Sequence, residues 1–231
     1  MNYEIIKDRE ALQQFVDWLP DTTQGETYYV ALLARNKYVK DLGIGTFGSD
    51  KHQCKRFLST KDRLIEKIEQ LECKVGAYVV KDIRVPQEAL ALYITPNPRN
   101  MIKATSNLLV KCAELIASGS KNHNIYQESL SQVHKSVGTR HFVDFDIDGY
   151  ECTDEVHTNI YGLVNKEAVN ILHTRGGFHI LVNTKKVNVN PKTWYQGLMN
   201  MTGVDATGDN MIPVPGCTQG NFTPRMSYAK D

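Results

Sequence analysis

Cysteine is sparse in this chain and poorly placed for chemistry. Cys54, Cys73, Cys112, Cys152 and Cys217 are scattered, odd in number and form no CxxC pair. That argues against a disulfide framework and against a cysteine-rich zinc site. Long apolar runs are missing too, since none approaches the ~20 residues a membrane-spanning helix needs. The N-terminal MNYEIIKDRE lacks the basic-then-apolar layout of a secretory signal. The expectation is a cytoplasmic protein with no membrane partner. Charge of one sign is also lacking. Lys and Arg total 27 against 26 for Asp and Glu, a formal net charge of +1, where a stand-alone nucleic-acid binder usually carries a basic excess. Repeats and low-complexity linkers are absent. What remains is an ordinary globular composition, 41% hydrophobic and 23% charged.

Periodicity suggests mixed secondary structure. Leu12, Phe15, Val16 and Leu19 recur at helical spacing over 8–19, with Asp8 as a cap. Tyr28–Leu33 reads as a buried strand, Leu42–Gly48 as a glycine-rich turn, Lys61–Leu71 as a helix capped by Thr60, and Val75–Val80 as a strand. The basic stretch Lys51, Lys55, Arg56, Lys61, Arg63 and Lys67 reads as a solvated helix face, or as one wall of a basic groove completed by Arg140, Arg175, Lys185 and Lys186. Asn97-Pro98-Arg99 breaks the chain before helices at 101–118 and 125–137. Beyond it come a strand at 141–148, a helix at 153–163, strands at 168–173 and 178–183, a helix at 191–201 and a short segment at 210–214. Strands and helices mixed in this way indicate an α+β (mixed α/β) sandwich. A single domain spanning 1–231 is expected, with one lobe to about residue 138 and a motif-bearing lobe after it.

Three stretches carry candidate chemistry. In HFVDFDID at 141–148, acids alternate with apolar residues. Strand residues two apart share a face, so Asp144, Asp146 and Asp148 converge. Clustered carboxylates repel one another unless a cation offsets them, and Mg²⁺ takes oxygen ligands from one or two carboxylates plus substrate phosphates. A lone DxD is more often a solvent-facing edge. Here the interleaved Phe145 and Ile147 mark a strand packed on a core. In Thr174-Arg175-Gly176-Gly177-Phe178-His179, two glycines allow backbone N–H groups near an anion, Arg175 offers a bidentate phosphate contact, and His179 opens a strand. The bland alternative is a hairpin turn with a structural histidine. The third stretch, 203–216, holds Asp205 and Asp209 before a proline-punctuated turn, and the alternative there is a polar loop.

Taken together, VDFDID at 143–148, TRGGFHILV at 174–182 and VDATGDNMIPVPGCTQGNF at 204–222 resemble the catalytic core of archaeo-eukaryotic primases and primase-polymerases, at its compact phage- and plasmid-like end. The separations, 35 positions from Asp144 to His179 and 26 from His179 to Asp205, fit that likeness, which covers roughly 140–222. The resemblance implies a two-lobed core with an RRM-like sheet carrying the acidic motif. It implies template-dependent nucleotidyl transfer from nucleoside triphosphates on single-stranded DNA during replication, with Mg²⁺ or Mn²⁺ as cofactor and a replicative helicase as a possible partner. Carried over by position, Asp144, Asp146 and Asp205 become metal ligands. Arg175, Gly176, Gly177 and His179 become the triphosphate cradle. Two assignments stay open: Asp146/Asp148 fits the acidic pair as well as Asp144/Asp146, and Asp209 competes with Asp205. Competing functions are a metal-dependent nuclease or phosphodiesterase, and a replication-initiation module that binds nucleic acid without catalysis.

Overall fold

The computed structural model describes the chain apart from residues 41–46, 48–49, 120, 122, 209–210 and 230–231, and apart from the side chains of 206–208. In chain order the elements are α1 (Arg9–Trp18), β1 (Glu26–Arg35), α2 (Asn36–Val39), β2 (Lys51–Ser59), α3 (Leu64–Glu69), β3 (Val79–Val80), β4 (Ile83–Arg84), β5 (Leu90–Ile94), β6 (Arg99–Asn100), α4 (Met101–Ala117), α5 (Ile125–Lys135), β7 (Phe142–Asp148), α6 (Asp154–Leu163), β8 (Val169–His173), β9 (Gly177–Asn183), α7 (Pro191–Met199), β10 (Val204–Gly208), β11 (Ile212–Pro213) and β12 (Arg225–Ser227). The class is α+β, and the strand pairings among the described residues are antiparallel.

The first sheet has the order β11-β5-β1-β2, with β6 also on β1. Its central strand β1 is buried on both faces, as an uninterrupted apolar run requires. Tyr28, Val30, Leu32 and Ala34 face a core shared with Leu12 and Phe15 of α1 and Leu64 and Ile68 of α3. Tyr29 and Ala31 pack on Ala104 of α4 and Leu130 and Val133 of α5. The second sheet has the order β10-β7-β9-β8-β12. From β7 to β10 the chain runs strand, helix, strand, strand, helix, strand. The four strands lie in the spatial order fourth, first, third, second, which is two interlocked split βαβ units. Phe145, Ile147, Phe178 and Ile180 pack with Ile160 of α6 and Trp194 and Leu198 of α7.

Most elements lie where periodicity puts them, and Asp8 caps α1 by accepting from the Ala11 N–H. Three expectations are corrected. The basic run at 51–59 is the strand β2, paired with β1 over its whole length, rather than a helix face; its alternating exposure is the period-two signature. Thr60 makes no capping hydrogen bond, and a short 3₁₀ turn at Lys61–Arg63 precedes α3. Of Val75–Val80 only Val79–Val80 is a strand. Apart from Phe47, the glycine-rich turn at Leu42–Gly48 lies outside the described residues.

The two sheets are tied together by the chain beyond β10. Beyond β10, the chain crosses back, and β11 joins β5 of the first sheet although it lies late in the sequence. The Pro215-Gly216 turn then docks on the N-terminus, the Gly216 carbonyl accepting from the Lys7 and Asp8 N–H groups at 2.8 and 2.9 Å. Gly216 has φ +77, and a Cβ there would lie 2.3 Å from the Asp8 carbonyl, so glycine is required. Trp18 stacks on Phe142 at 4.3 Å and donates its indole N–H to Asn170 Oδ1.

Candidate active site

Alternation along β7 divides its side chains between two environments. Phe145 and Ile147 enter the core beneath α6 and α7. The opposite face begins with Phe142 against Trp18 and continues through Asp144, Asp146 and Asp148 toward the cleft between the sheets. Asn97 anchors the start of the strand. Its Oδ1 accepts from the His141 and Phe142 N–H groups at 2.8 and 2.9 Å, and its Nδ2 donates to the Phe142 carbonyl at 2.9 Å. The Asn97 side chain thus takes the place of a partner strand at the start of β7.

Register brings the distant motifs together. Asp146 lies opposite His179 on β9 and opposite Asp205 on β10. Directly opposed residues share a face, so Asp205, Asp146 and His179 form one row across three adjacent strands. Gly177 makes the strand approach possible at the cleft end: a Cβ there would sit 1.9 Å from the Ile147 carbonyl oxygen.

The acids differ in depth. Asp144 is buried, Asp146 half-buried, and Asp148 and Asp205 exposed. The Asp144 oxygens lie 3.0 and 3.2 Å from His179 Nδ1. A carboxylate can only accept, so Nδ1 carries the proton. His179 Nε2 faces Asp146 Oδ1 at 3.4 Å. Burial works against charge on His179, yet the hydrogen-bonded Asp144 carboxylate, with Asp146 and Asp148, outweighs it and holds the imidazole pKa above its ordinary value. Burial raises the Asp146 pKa. His179 counters the rise, and Asp148, Asp144 and Asp205 add to it. The group most central to the row therefore lies in a field that disfavours its own ionisation.

Asp146, Asp148, Thr174, Gly176 and His179 line one wall of a cavity of about 270 Å³, and the buried Asp144 contacts His179. The facing wall carries Leu33 and Arg35 of β1, Lys37 of α2, Lys51 of β2 and Tyr93 of β5. Sequence reasoning missed Arg35 and Lys37. The available signal was a charged pair closing an otherwise apolar buried strand. Asp209 lies outside the described residues.

Other expected cations lie elsewhere. The Arg175 guanidinium stacks on the Tyr38 ring at 4.3 Å, and its backbone N–H donates to Gln219 Oε1 at 2.8 Å. Arg175 therefore ties the β8–β9 turn to α2. Arg140, Lys185 and Lys186 sit at the Phe142–Asn183 end of the β7–β9 pair, away from Asp148 and Gly177.

Among the described residues no three His, Cys, Asp or Glu side chains already surround a common cation position. The donor chemistry nonetheless suits a hard divalent ion: burial, and then the neighbouring Asp148, Asp144 and Asp205, raise the Asp146 pKa, and an ion of the Mg²⁺ type takes few protein ligands, completing its shell with water and phosphate. Asp146, Asp148 and Asp205 are the more exposed acids, while Asp144 is buried against His179. No helix among the described residues is long and apolar enough to cross a membrane. No family model, curated protein or solved structure matches the chain.

Proposed function

We propose that this protein is a metal-dependent, template-directed nucleotidyltransferase of the primase-polymerase kind. The observation that carries the reading is the single row Asp205–Asp146–His179, drawn from three sequence motifs onto one face of a βαββαβ sheet, with Asp146 and His179 lining a cavity of about 270 Å³. The strand order agrees with the RRM-like sheet that the resemblance implies, and the first lobe supplies the opposite wall. In this reading Asp146, Asp148 and Asp205 hold Mg²⁺ or Mn²⁺, and Asp144 orients His179.

The division of labour follows from the geometry. Asp144 fixes the His179 ring and leaves Nε2 toward the cavity, where it donates to an incoming triphosphate oxygen. Gly176, on the cavity wall, lets a phosphate approach the β8–β9 turn closely. A divalent cation held by Asp146, Asp148 and Asp205 would supply positive charge to offset that on the α-phosphate as the 3′-hydroxyl attacks it and pyrophosphate leaves. The protein contributes mainly position and fixed charge, which is what phosphoryl transfer asks of an enzyme. Single-stranded DNA serves as template, and its affinity is modest or borrowed from a partner such as a replicative helicase, in keeping with a net charge of +1.

A labelled-nucleotide incorporation assay on a primed and an unprimed template, run beside a nuclease assay on the same DNA, tests this. Incorporation dependent on Mg²⁺ or Mn²⁺ and abolished by Asp146→Asn is the expected result. Cleavage without incorporation would replace the reading with a nuclease. DNA binding without either activity, unchanged in Asp144→Ala/Asp146→Ala, would replace it with a non-catalytic replication module.

A further inference from the structure

The cavity is electrically divided. One wall is acidic, with Asp146 and Asp148 lining it beside His179. The other carries Arg35, Lys37 and Lys51, which belong to the first sheet and its adjoining helix and which none of the three motifs includes.

Arg35 is 5% exposed. It is held rigidly: its Nε and Nη2 donate to Asp50 Oδ2 at 3.2 and 2.9 Å, and its Nη1 donates to the Tyr93 hydroxyl at 2.6 Å. The Asp50 carboxylate also accepts the Lys37 N–H at 3.1 Å, so the ion pair shapes the chain on which Lys37 stands. Arg35 pairs with Asp50 at 2.9 Å. Leu33 and Arg35 are two apart on β1 and face the cavity together, so the strand's own alternation places a cation where the cleft opens.

Arg175, the cation nearest the glycine turn in sequence, does not line this cavity and stacks on Tyr38 instead. A ligand that brings a cation to the acids and presents its own negative charge to the facing wall must be a polyanion. A volume of about 270 Å³ is close to the lower range of small-molecule pockets, and a nucleic-acid strand needs a continuous groove instead.

We propose that Arg35, Lys37 and Lys51 form an anion subsite that receives the polyphosphate tail of a nucleoside triphosphate from the first lobe, across the cavity from the acidic row. This rests on the nucleotidyltransferase reading and adds to it that the phosphate-binding cations come from β1, α2 and β2 rather than from Arg175. Lys37 and Lys51 are exposed, while Arg35 is the fixed element.

The test is equilibrium binding of a fluorescent nucleoside triphosphate by anisotropy, with inorganic tripolyphosphate as competitor and a single-stranded oligonucleotide as a second probe. The protein forms are the full chain, Lys37→Ala/Lys51→Ala and the charge-preserving Lys37→Arg/Lys51→Arg. Loss of two charge-assisted contacts should weaken nucleotide binding at least about tenfold. Tripolyphosphate should compete on the wild type, the arginine pair should restore binding, and oligonucleotide affinity should change by less than about twofold. Unchanged nucleotide affinity in the alanine pair, with incorporation by the wild type intact, would overturn the subsite and leave the activity standing. A loss confined to the oligonucleotide would overturn it in favour of a template-backbone contact. A wild type that neither binds nor incorporates nucleotides would remove both the subsite and the activity.

Discussion

Replacing Asn97 by alanine should loosen the acidic strand without touching a single acid. Asn97 is 1% exposed and satisfies three backbone groups at the start of β7, two N–H groups and one carbonyl. Alanine leaves all three without that partner. The Phe142 N–H and carbonyl belong to a residue only 3% exposed, and a buried polar group left unpaired costs about 1–3 kcal/mol. Taking roughly 1.5 kcal/mol for each of these two, and little for the half-exposed His141 N–H, gives a loss of about 3 kcal/mol. For a chain of this length that is a fall of about 6–12 °C in Tm. Circular dichroism thermal melts and urea titrations at fixed pH measure it, with the urea slope unchanged because the fold is kept. A fall below about 2 °C would show that other contacts place β7 and that the substitute-strand argument is wrong.

Two further outcomes follow from the same geometry. Because neighbouring carboxylates raise the His179 pKa above its ordinary 6.5, their contribution to stability is complete below that value and is lost as pH rises through the folded-state pKa; His179→Gln should flatten stability against pH in this window, and identical pH profiles for both proteins would refute the pairing. Gly177→Ala places a methyl 1.9 Å from the Ile147 carbonyl, so it should disrupt the Gly177–Asp148 pairing and lower both stability and nucleotide incorporation by more than about tenfold, whereas near-wild-type behaviour would mean that the β7–β9 approach is looser than described.

Much of the second lobe was legible because its signals are local. Alternation in FVDFDID and the glycine pair before His179 each specify an element with little help from the rest of the chain. The convergence of Asp146 with His179 was open to inference from two strands and a hairpin. Its finer order was not, because strand periodicity gives the face and says nothing of depth: Asp144, Asp146 and Asp148 look equivalent in sequence, and only the packing of Trp18 on Phe142 and of His179 on Asp144 separates the buried acid from the open ones. The first lobe was harder to read. β2 looked like a charged helix face because its pairing with β1 is a long-range choice that overrides local preference. Asn97 and Arg35 act through partners 45 and 58 positions away, and no motif spacing encodes such contacts. Arg175 carried the expected chemistry for a phosphate but lies over Tyr38, whose proximity follows from how the two sheets are tied together.

The central claim is that Asp146, Asp148 and Asp205 grip a divalent cation beside His179 while the first lobe faces the substrate's phosphates. Crystals soaked with Mn²⁺ and a non-hydrolysable nucleoside triphosphate test it most directly through anomalous scattering. A manganese peak is expected within about 2–2.3 Å of the Asp146 and Asp205 carboxylates, with the triphosphate between His179 and the Arg35–Lys37–Lys51 wall. A nucleotide bound elsewhere, or manganese absent from this acidic row while the nucleotide is bound, would contradict it.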